Sequence, residues 1–168
     1  MLTYHPIHDP SHCTFRLLCL MNDIEQDEVS WDCLKILDFY VLFPHLIAAM
    51  KFSKEILEFK AMLKQVPTPY ESLPSPARLM FELGEIQEQT IKSMIAKGIA
   101  EKDSFVSGKV KIRFAVLPKK IRELIAAEKF RQEDWYQFLT ETLVQLPLKG
   151  PNGIKDRTGL MEYRYDAA

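Results

Sequence analysis

The chain has 168 residues, of which 47% are hydrophobic and 27% charged, and its formal net charge is −1. These are ordinary globular values, with enough length for one domain with a sizeable core or for two small subdomains. They argue against a membrane protein, because the apolar run 39–50 is too short to cross a bilayer and is interrupted by Pro44 and His45. The three cysteines are odd in number and fall within predicted helices, which indicates reduced core residues of a cytoplasmic protein.

The first residues hold the one candidate for metal chemistry. His5, His8, Asp9, His12 and Cys13 lie within nine residues of one another. Structural zinc needs four ligands of defined geometry, usually from two paired clusters, and no second cluster follows. We therefore expect turn histidines and a core cysteine here, and no metal.

Two predicted helices follow. Ser11 is the expected N-cap of the first, and Ser30 that of the second, which runs from Trp31 to about Leu42. The second helix is apolar nearly all round, so it is either central to a core or covered by a partner. Pro44 ends it.

Large apolar residues of this helix and of a later segment are the predicted partner-binding residues. Aromatic anchors contribute most of the binding energy at many interfaces. The set is Trp31, Phe39, Tyr40, Phe43, Pro44, Trp135 and Tyr136. A purely internal core helix is the alternative, and the pattern leaves both open.

Composition divides the chain into four parts. Residues 1–66 form an N-terminal helical unit, which ends with a third helix capped by Ser53. Residues 67–76 are a proline-rich linker, residues 77–147 a winged-helix domain with further helices, and residues 148–168 a C-terminal tail.

The stretch 75–115 begins like a helix-turn-helix. Ser75 can N-cap a helix whose first position is Pro76, and Gly84 is expected to turn the chain into a second helix. Gly98 would end that second helix in the left-handed conformation.

A β-hairpin is predicted directly after these helices. Residues 99–102 and 109–114 alternate apolar and charged side chains as paired strands do, with a turn over 103–108. The predicted fold class is therefore mainly α with a small β-hairpin, in which a winged helix-turn-helix domain joins an N-terminal helical unit. Such domains bind nucleic acid or dock protein subunits.

Charge is distributed unevenly. Residues 21–58 hold eight acidic and three basic residues, whereas residues 101–131 hold nine basic and four acidic ones. Basic residues in and after the hairpin can follow a phosphate backbone without reading bases. These predicted DNA-contact residues are Lys102, Lys109, Lys111, Arg113, Lys119, Lys120 and Arg122. A solubilising face is the alternative interpretation.

The remaining chain is predicted to contain two helices and a strand. Pro118 starts a short helix, a longer helix includes Phe130 and Leu146, and residues 159–166 alternate as a terminal strand. No glycine-rich phosphate loop or G-x-S-x-G motif is present, and no histidine follows His45 to pair with a cysteine. We therefore predict neither enzymatic activity nor a cofactor.

Four blocks of the sequence resemble one family. The blocks are Tyr4-His5-Pro6 with Asp9 to Arg16, Leu37-Asp38-Phe39-Tyr40-Val41-Leu42-Phe43-Pro44, Ile86-Gln87-Glu88-Gln89 to Lys97-Gly98-Ile99, and Gly159-Leu160-Met161-Glu162-Tyr163-Arg164-Tyr165. In them the chain resembles the small middle component of bacterial ABC-three-component systems.

The resemblance implies a place in a three-protein defence operon of the Lamassu type. The partners it implies are an SMC-like ATPase with a long coiled coil and an effector, often a nuclease. The chain would be a non-enzymatic adaptor between them, with auxiliary non-specific DNA contact, and no catalytic residues are carried over. The alternative is a winged-helix transcriptional regulator, although the predicted recognition helix contains no arginine to read bases.

Overall fold

Seven α-helices and a two-stranded antiparallel sheet form the framework of the described part of the chain, and 3₁₀ segments lie between them. The computed structural model describes residues 6–161. The helices are α1 (Pro10–Asp23), α2 (Trp31–Leu42), α3 (Pro76–Ala96), α4 (Lys102–Val106), α5 (Lys119–Ala127), α6 (Asp134–Gln137) and α7 (Ile154–Thr158). The strands are β1 (Val29–Ser30) and β2 (Lys109–Val110). Short 3₁₀ segments cover Pro6–His8, Pro44–Ala49, Leu57–Gln65, Phe114–Val116, Lys129–Gln132 and Leu143–Gln145.

Helix α2 lies at the centre of the core, packed against α1 and α3. Its bounds are those that the sequence predicts, and Leu34, Ile36, Leu37 and Phe39 are fully buried. The all-round apolar character of α2 is therefore satisfied within the chain. Ser30 holds the N-cap position, but its side chain makes no capping hydrogen bond.

Helix α1 begins one residue before its predicted cap. The Asp9 carboxylate accepts hydrogen bonds from the backbone N–H of Ser11 at 2.8 Å and of His12 at 3.2 Å. The prediction that Ser11 caps this helix is wrong, because Pro10 takes the first helical position and places Asp9 at the cap.

Helix α3 is continuous over 21 residues, so the predicted turn at Gly84 is wrong. The buried residues Leu83, Gln87 and Ile91 follow one another at helical spacing, so one buried stripe spans the glycine. A glycine within a helix costs about 1 kcal/mol, which the packing of this stripe outweighs. The predicted boundaries hold: Ser75 caps the helix, and Gly98 has a φ of 72° just beyond its end.

The predicted hairpin pairing is present, but its connection is not a turn. Ala100 and Ile112 form an antiparallel bridge, and the N–H of Arg113 donates to the carbonyl of Ile99 at 2.8 Å. The predicted turn over residues 103–108 is instead largely the short helix α4.

The strand β2 at the hairpin is also paired with the chain segment before α2. Val29 of β1 stands opposite Val110 of β2, and Ser30 opposite Lys109. The sheet therefore fixes the hairpin to the N-terminal helices.

The C-terminal third has less regular helix than the sequence predicts. The single long helix expected after α5 is a succession of a 3₁₀ turn, α6, the π-turn Phe138–Thr142 and a second 3₁₀ turn. The backbone is extended at Glu128 and Glu133, and each of these residues interrupts helical hydrogen bonding. The helix predicted after Ser53 is likewise the 3₁₀ segment Leu57–Gln65.

The predicted strand over 159–166 falls largely outside the described residues. Gly159 ends α7 with a φ of 64°, and residues 159–161 are not in a strand. Within residues 6–161, no helix combines the length and apolarity needed to cross a bilayer.

Candidate functional site

A buried polar centre joins the three central helices. Asp38 of α2 is fully buried and accepts hydrogen bonds from Nε of Arg16 on α1 at 2.6 Å and from the Gln87 amide on α3 at 2.8 Å. The Gln87 amide also donates to the backbone carbonyl of Lys35 at 3.0 Å. Asp38 thus accepts hydrogen bonds from a side chain of each neighbouring helix and links α2 to both α1 and α3.

The electrostatics of this centre follow from its burial. Burial alone would lower the pKa of Arg16, but the charge and hydrogen bonds of Asp38 outweigh it and the pKa is raised. Burial, assisted by the negative charge of Asp38, raises the pKa of the neighbouring Cys13 thiol to about 12. A fixed ion pair beside a protonated thiol holds helices together and supplies no nucleophile at neutral pH.

A second ion pair ties α1 to the C-terminal segment. The guanidinium of Arg131 donates through Nε to Asp23 at 2.6 Å, and the Tyr136 hydroxyl donates to the same carboxylate at 3.0 Å. Burial would raise the pKa of Asp23, but the hydrogen bonds from Arg131, Asn22 and Tyr136 bring it below its usual value.

A third ion pair attaches α7 to α2. Lys155 is buried, and its ammonium donates to Asp32 at 2.9 Å. Asp32 also pairs with Lys35 at 3.0 Å, and its pKa is lowered because these hydrogen bonds outweigh the effect of burial. This pair therefore joins α7 to the first turn of α2.

Five of the seven predicted partner-binding residues lie inside the protein. Trp31, Phe39, Tyr40, Phe43 and Tyr136 are all buried. These side chains stabilise the core and expose almost no area to a partner protein.

The other two predicted partner-binding residues meet at the surface. Pro44 and Trp135 are half-buried and line one cavity of about 440 Å³, which we call the tryptophan cavity. Its other lining residues are Met62, Gln65, Val66, Pro67, Phe130, Glu133 and Asp134.

The predicted DNA-contact residues are exposed, apart from the half-buried Lys111. Lys109 pairs with Glu28 at 3.7 Å, and Lys111 and Arg113 share Glu101 at 3.8 and 3.7 Å.

The remaining basic residues lie on α4, which precedes these three cations, and on α5, which follows them. Lys119 of α5 pairs with Glu123 at 3.7 Å. Among residues 6–161, Lys102, Lys120 and Arg122 have no ion-pair partner. The structure thus divides the seven cations into a paired group and an unpaired group, which sequence alone did not distinguish.

Comparison with protein families settles the relationship. The model for "ABC-three component (ABC-3C) system Middle Component 5" matches residues 2–166. The chain belongs to this middle-component family. It is therefore one component of a multi-subunit system. No curated protein and no solved structure gives a significant match.

The structure explains three of the sequence blocks that suggested this family. Arg16 lies in the first block, Asp38 in the second and Gln87 in the third, and these three side chains form the buried centre of the middle component. Sequence reasoning did not assign them a common role. The available signal was a single acidic residue, Asp38, within the otherwise apolar second half of α2.

The structure separates the residues of the candidate metal cluster. Cys13 faces the core of the middle component, whereas His8 and His12 are exposed and Asp9 caps α1. Across residues 6–161, no group of three or more His, Cys, Asp or Glu side chains has the proximity to hold a metal ion. His5 lies outside the described residues.

A larger groove runs along the outer side of α3. Its volume is about 730 Å³, and Phe81, Gly84 and Glu85 line it together with Leu160 and Met161. Phe81 is 75% exposed, which is unusual for a phenylalanine in a helix of a globular protein. An exposed aromatic residue in a groove is typical of protein contact surfaces.

Proposed function

We propose that this middle component is a non-enzymatic adaptor in a bacterial defence complex of the Lamassu type, working in the cytoplasm. It bridges an SMC-like ATPase and an effector of the nuclease type. The family match over residues 2–166 carries the proposal, because it makes the chain one component of a multi-subunit system. The partners themselves follow from the resemblance of the sequence blocks.

The surface supports an adaptor role. The chain offers a groove of mixed polarity on α3 that exposes Phe81, the tryptophan cavity, and an exposed basic group that includes Lys120 and Arg122. Surfaces of different chemistry suit a subunit that binds unlike partners.

The interior supports a role without catalysis. Burial raises the pKa of each of the three cysteines, Cys13, Cys19 and Cys33, to about 12. A thiol with such a pKa is protonated at neutral pH and is a poor nucleophile. The most deeply buried ion pair, Arg16 and Asp38, is enclosed by helices and has no access to a substrate.

We assign non-specific DNA contact to the exposed basic residues as an auxiliary activity. The order of elements supports a winged-helix relationship: α1, β1, α2 and α3 come in this order, with two 3₁₀ segments between α2 and α3, and the antiparallel pairing of Ala100 with Ile112 follows across α4. In this arrangement α3 takes the place of a recognition helix, but its exposed residues include Phe81 and Glu85. Those residues favour protein contact over base readout.

The adaptor role is tested by reconstitution. The ATPase, the effector and this chain, encoded together, are co-expressed with an affinity tag on the ATPase, and the purified complex is analysed by size-exclusion chromatography with light scattering. We expect the effector to co-purify only when the middle component is present. Equal recovery of the effector without it would contradict the proposal.

A further inference from the structure

The tryptophan cavity is built from three separate segments of the chain. Pro44 follows α2, Pro67 follows the 3₁₀ segment Leu57–Gln65, and Phe130 and Trp135 lie on either side of the break before α6. Its walls therefore come together only when the chain is folded.

The aromatic wall is supported by ring contacts and hydrogen bonds. The rings of Phe130 and Trp135 lie 6.4 Å apart at 32°, and Phe130 also contacts Tyr136 at 5.2 Å. Tyr136 is fixed by its hydrogen bond to Asp23, which is itself fixed by Arg131. The half-buried indole therefore offers a preorganised π surface.

Two carboxylates stand at the edge of this wall. Glu133 and Asp134 line the cavity and are exposed, and within the described residues neither has an ion-pair partner. The nearest cation along the chain that could neutralise them, Arg131, is already committed to Asp23. The cavity thus combines an aromatic face, two prolines and two uncompensated negative charges.

We propose that the tryptophan cavity receives an arginine side chain of a partner protein. A guanidinium group stacks on an aromatic face and pairs with carboxylates at the same time, which a neutral or acidic side chain does not do. Charge complementarity with Glu133 and Asp134 selects this occupant. The inference rests on the proposed adaptor function and specifies the chemistry by which one partner is recognised.

The test uses the full chain and Nα-acetyl-arginine methylamide as the probe. The chain has two tryptophans, so its amide–indole NMR spectrum has two indole N–H signals. The buried Trp31 donates to Glu88 at 2.8 Å and serves as the internal reference. The signal that is lost in Trp135→Phe identifies Trp135.

We expect the arginine derivative to shift the Trp135 signal in a saturable manner and to leave the Trp31 signal in place. The matched citrulline derivative, which has nearly the same shape without the charge, is expected to give no saturable shift. Glu133→Gln with Asp134→Asn should raise the Kd about three- to tenfold, in keeping with partly exposed ionic and cation–π contacts. Glu85→Gln, which removes an exposed carboxylate of the α3 groove, is the matched control and should leave the Kd unchanged.

Two results would overturn the proposal. One is an equal response to the arginine and citrulline derivatives, which would make the cavity a purely apolar contact. The other is a Trp135 signal that moves with protein concentration alone, which would assign the cavity to a second copy of the chain. In both cases the reconstituted complex of ATPase, effector and middle component still tests the adaptor function separately.

Discussion

The buried centre of Arg16, Asp38 and Gln87 and the exposed basic residues after α3 use charge in opposite ways. Inside, Arg16 and Asp38 are 2.6 Å apart, and their side chains are almost entirely removed from solvent. Outside, Lys109 and Arg113 lie 3.7 Å from their acidic partners and are more than half exposed. The same type of interaction is therefore fixed in one region and loosely held in the other.

Exposed charges can consequently be replaced with less harm to the fold than buried ones. A buried charge that loses its partner leaves the other charge desolvated and unpaired, whereas an exposed pair contributes about 0–1 kcal/mol because water solvates both groups. The interior charges accordingly define how the helices assemble, and the exposed ones remain available to a partner.

The largest effect is expected from Asp38→Asn. This change leaves the Arg16 charge buried without a counterion and should lower the free energy of unfolding by about 3–5 kcal/mol. Urea unfolding followed by circular dichroism measures it. The double variant Arg16→Met with Asp38→Asn removes both charges and should be more stable than Asp38→Asn alone. A loss below about 1 kcal/mol for the single variant would show that the pair is no more important than a surface pair.

An intermediate effect is expected at the partly buried pair of Asp23 and Arg131. Asp23→Asn removes a charged acceptor of hydrogen bonds and should cost about 1–3 kcal/mol at pH 7. The folded protein holds the pKa of Asp23 below 3.8, the ordinary value of an aspartate, so the ionised carboxylate stabilises the fold above that pH. The stabilisation is lost as the pH falls through the lowered folded-state value.

The measurement is the difference in unfolding free energy between the parent protein and Asp23→Asn as a function of pH. We expect a constant difference at neutral pH that narrows below pH 3.8. Titrations of other groups affect both proteins and cancel in the difference. A difference that grows on acidification would contradict the assignment.

Local sequence signals predicted the bounds of helices better than their continuity. Ser30 and Pro44 bracket α2, and Ser75 and Gly98 bracket α3, because caps and breakers act within a few residues. Gly84 wrongly predicts a turn, because glycine has a low intrinsic propensity for the interior of a helix. The buried stripe on both sides of it decides the conformation, and that stripe depends on packing against α1.

The candidate site was less predictable for the same reason. Arg16 and Asp38 are separated by 22 residues, so their pairing exists only once the helices have assembled. Aromatic character indicated Phe39 and Tyr40 as important but not whether they face inward. Pro44 and Trp135, by contrast, do meet at one cavity, because each lies in the first turn of a short helical segment where the chain reaches the surface.

A smaller effect, of opposite sign, is expected within α3. This helix directs Gln87 into the buried centre and presents Gly84 to the groove, where an added Cβ would have no neighbour within 4 Å. Gly84→Ala should therefore raise the free energy of unfolding by about 0.5–1 kcal/mol, because alanine favours a helix interior over glycine. The midpoint of urea unfolding measures it. Destabilisation by this variant would favour the helix-turn-helix over the continuous helix.

The smallest effect on stability is expected from the exposed cations, where the comparison can be drawn between two matched triple variants. Replacing the unpaired Lys102, Lys120 and Arg122 by alanine should change the unfolding free energy by less than about 0.5 kcal/mol. Replacing the paired Lys109, Lys111 and Arg113 should also cost little.

Their effects on DNA binding should differ. Each phosphate contact contributes about −0.9 to the slope of the logarithm of the binding constant against the logarithm of salt concentration. The unpaired cations have no internal acid to displace before they contact a phosphate, so their removal should lower the magnitude of the slope by up to about 2.7 for a random-sequence duplex. Fluorescence anisotropy at several salt concentrations measures this slope.

The paired cations must first leave Glu28 or Glu101, so the variant that lacks them should change the slope less. Equal slopes for the parent protein and both variants would contradict the assignment of DNA contact. These cations would then contribute to the solubility of the surface and to neither DNA binding nor stability.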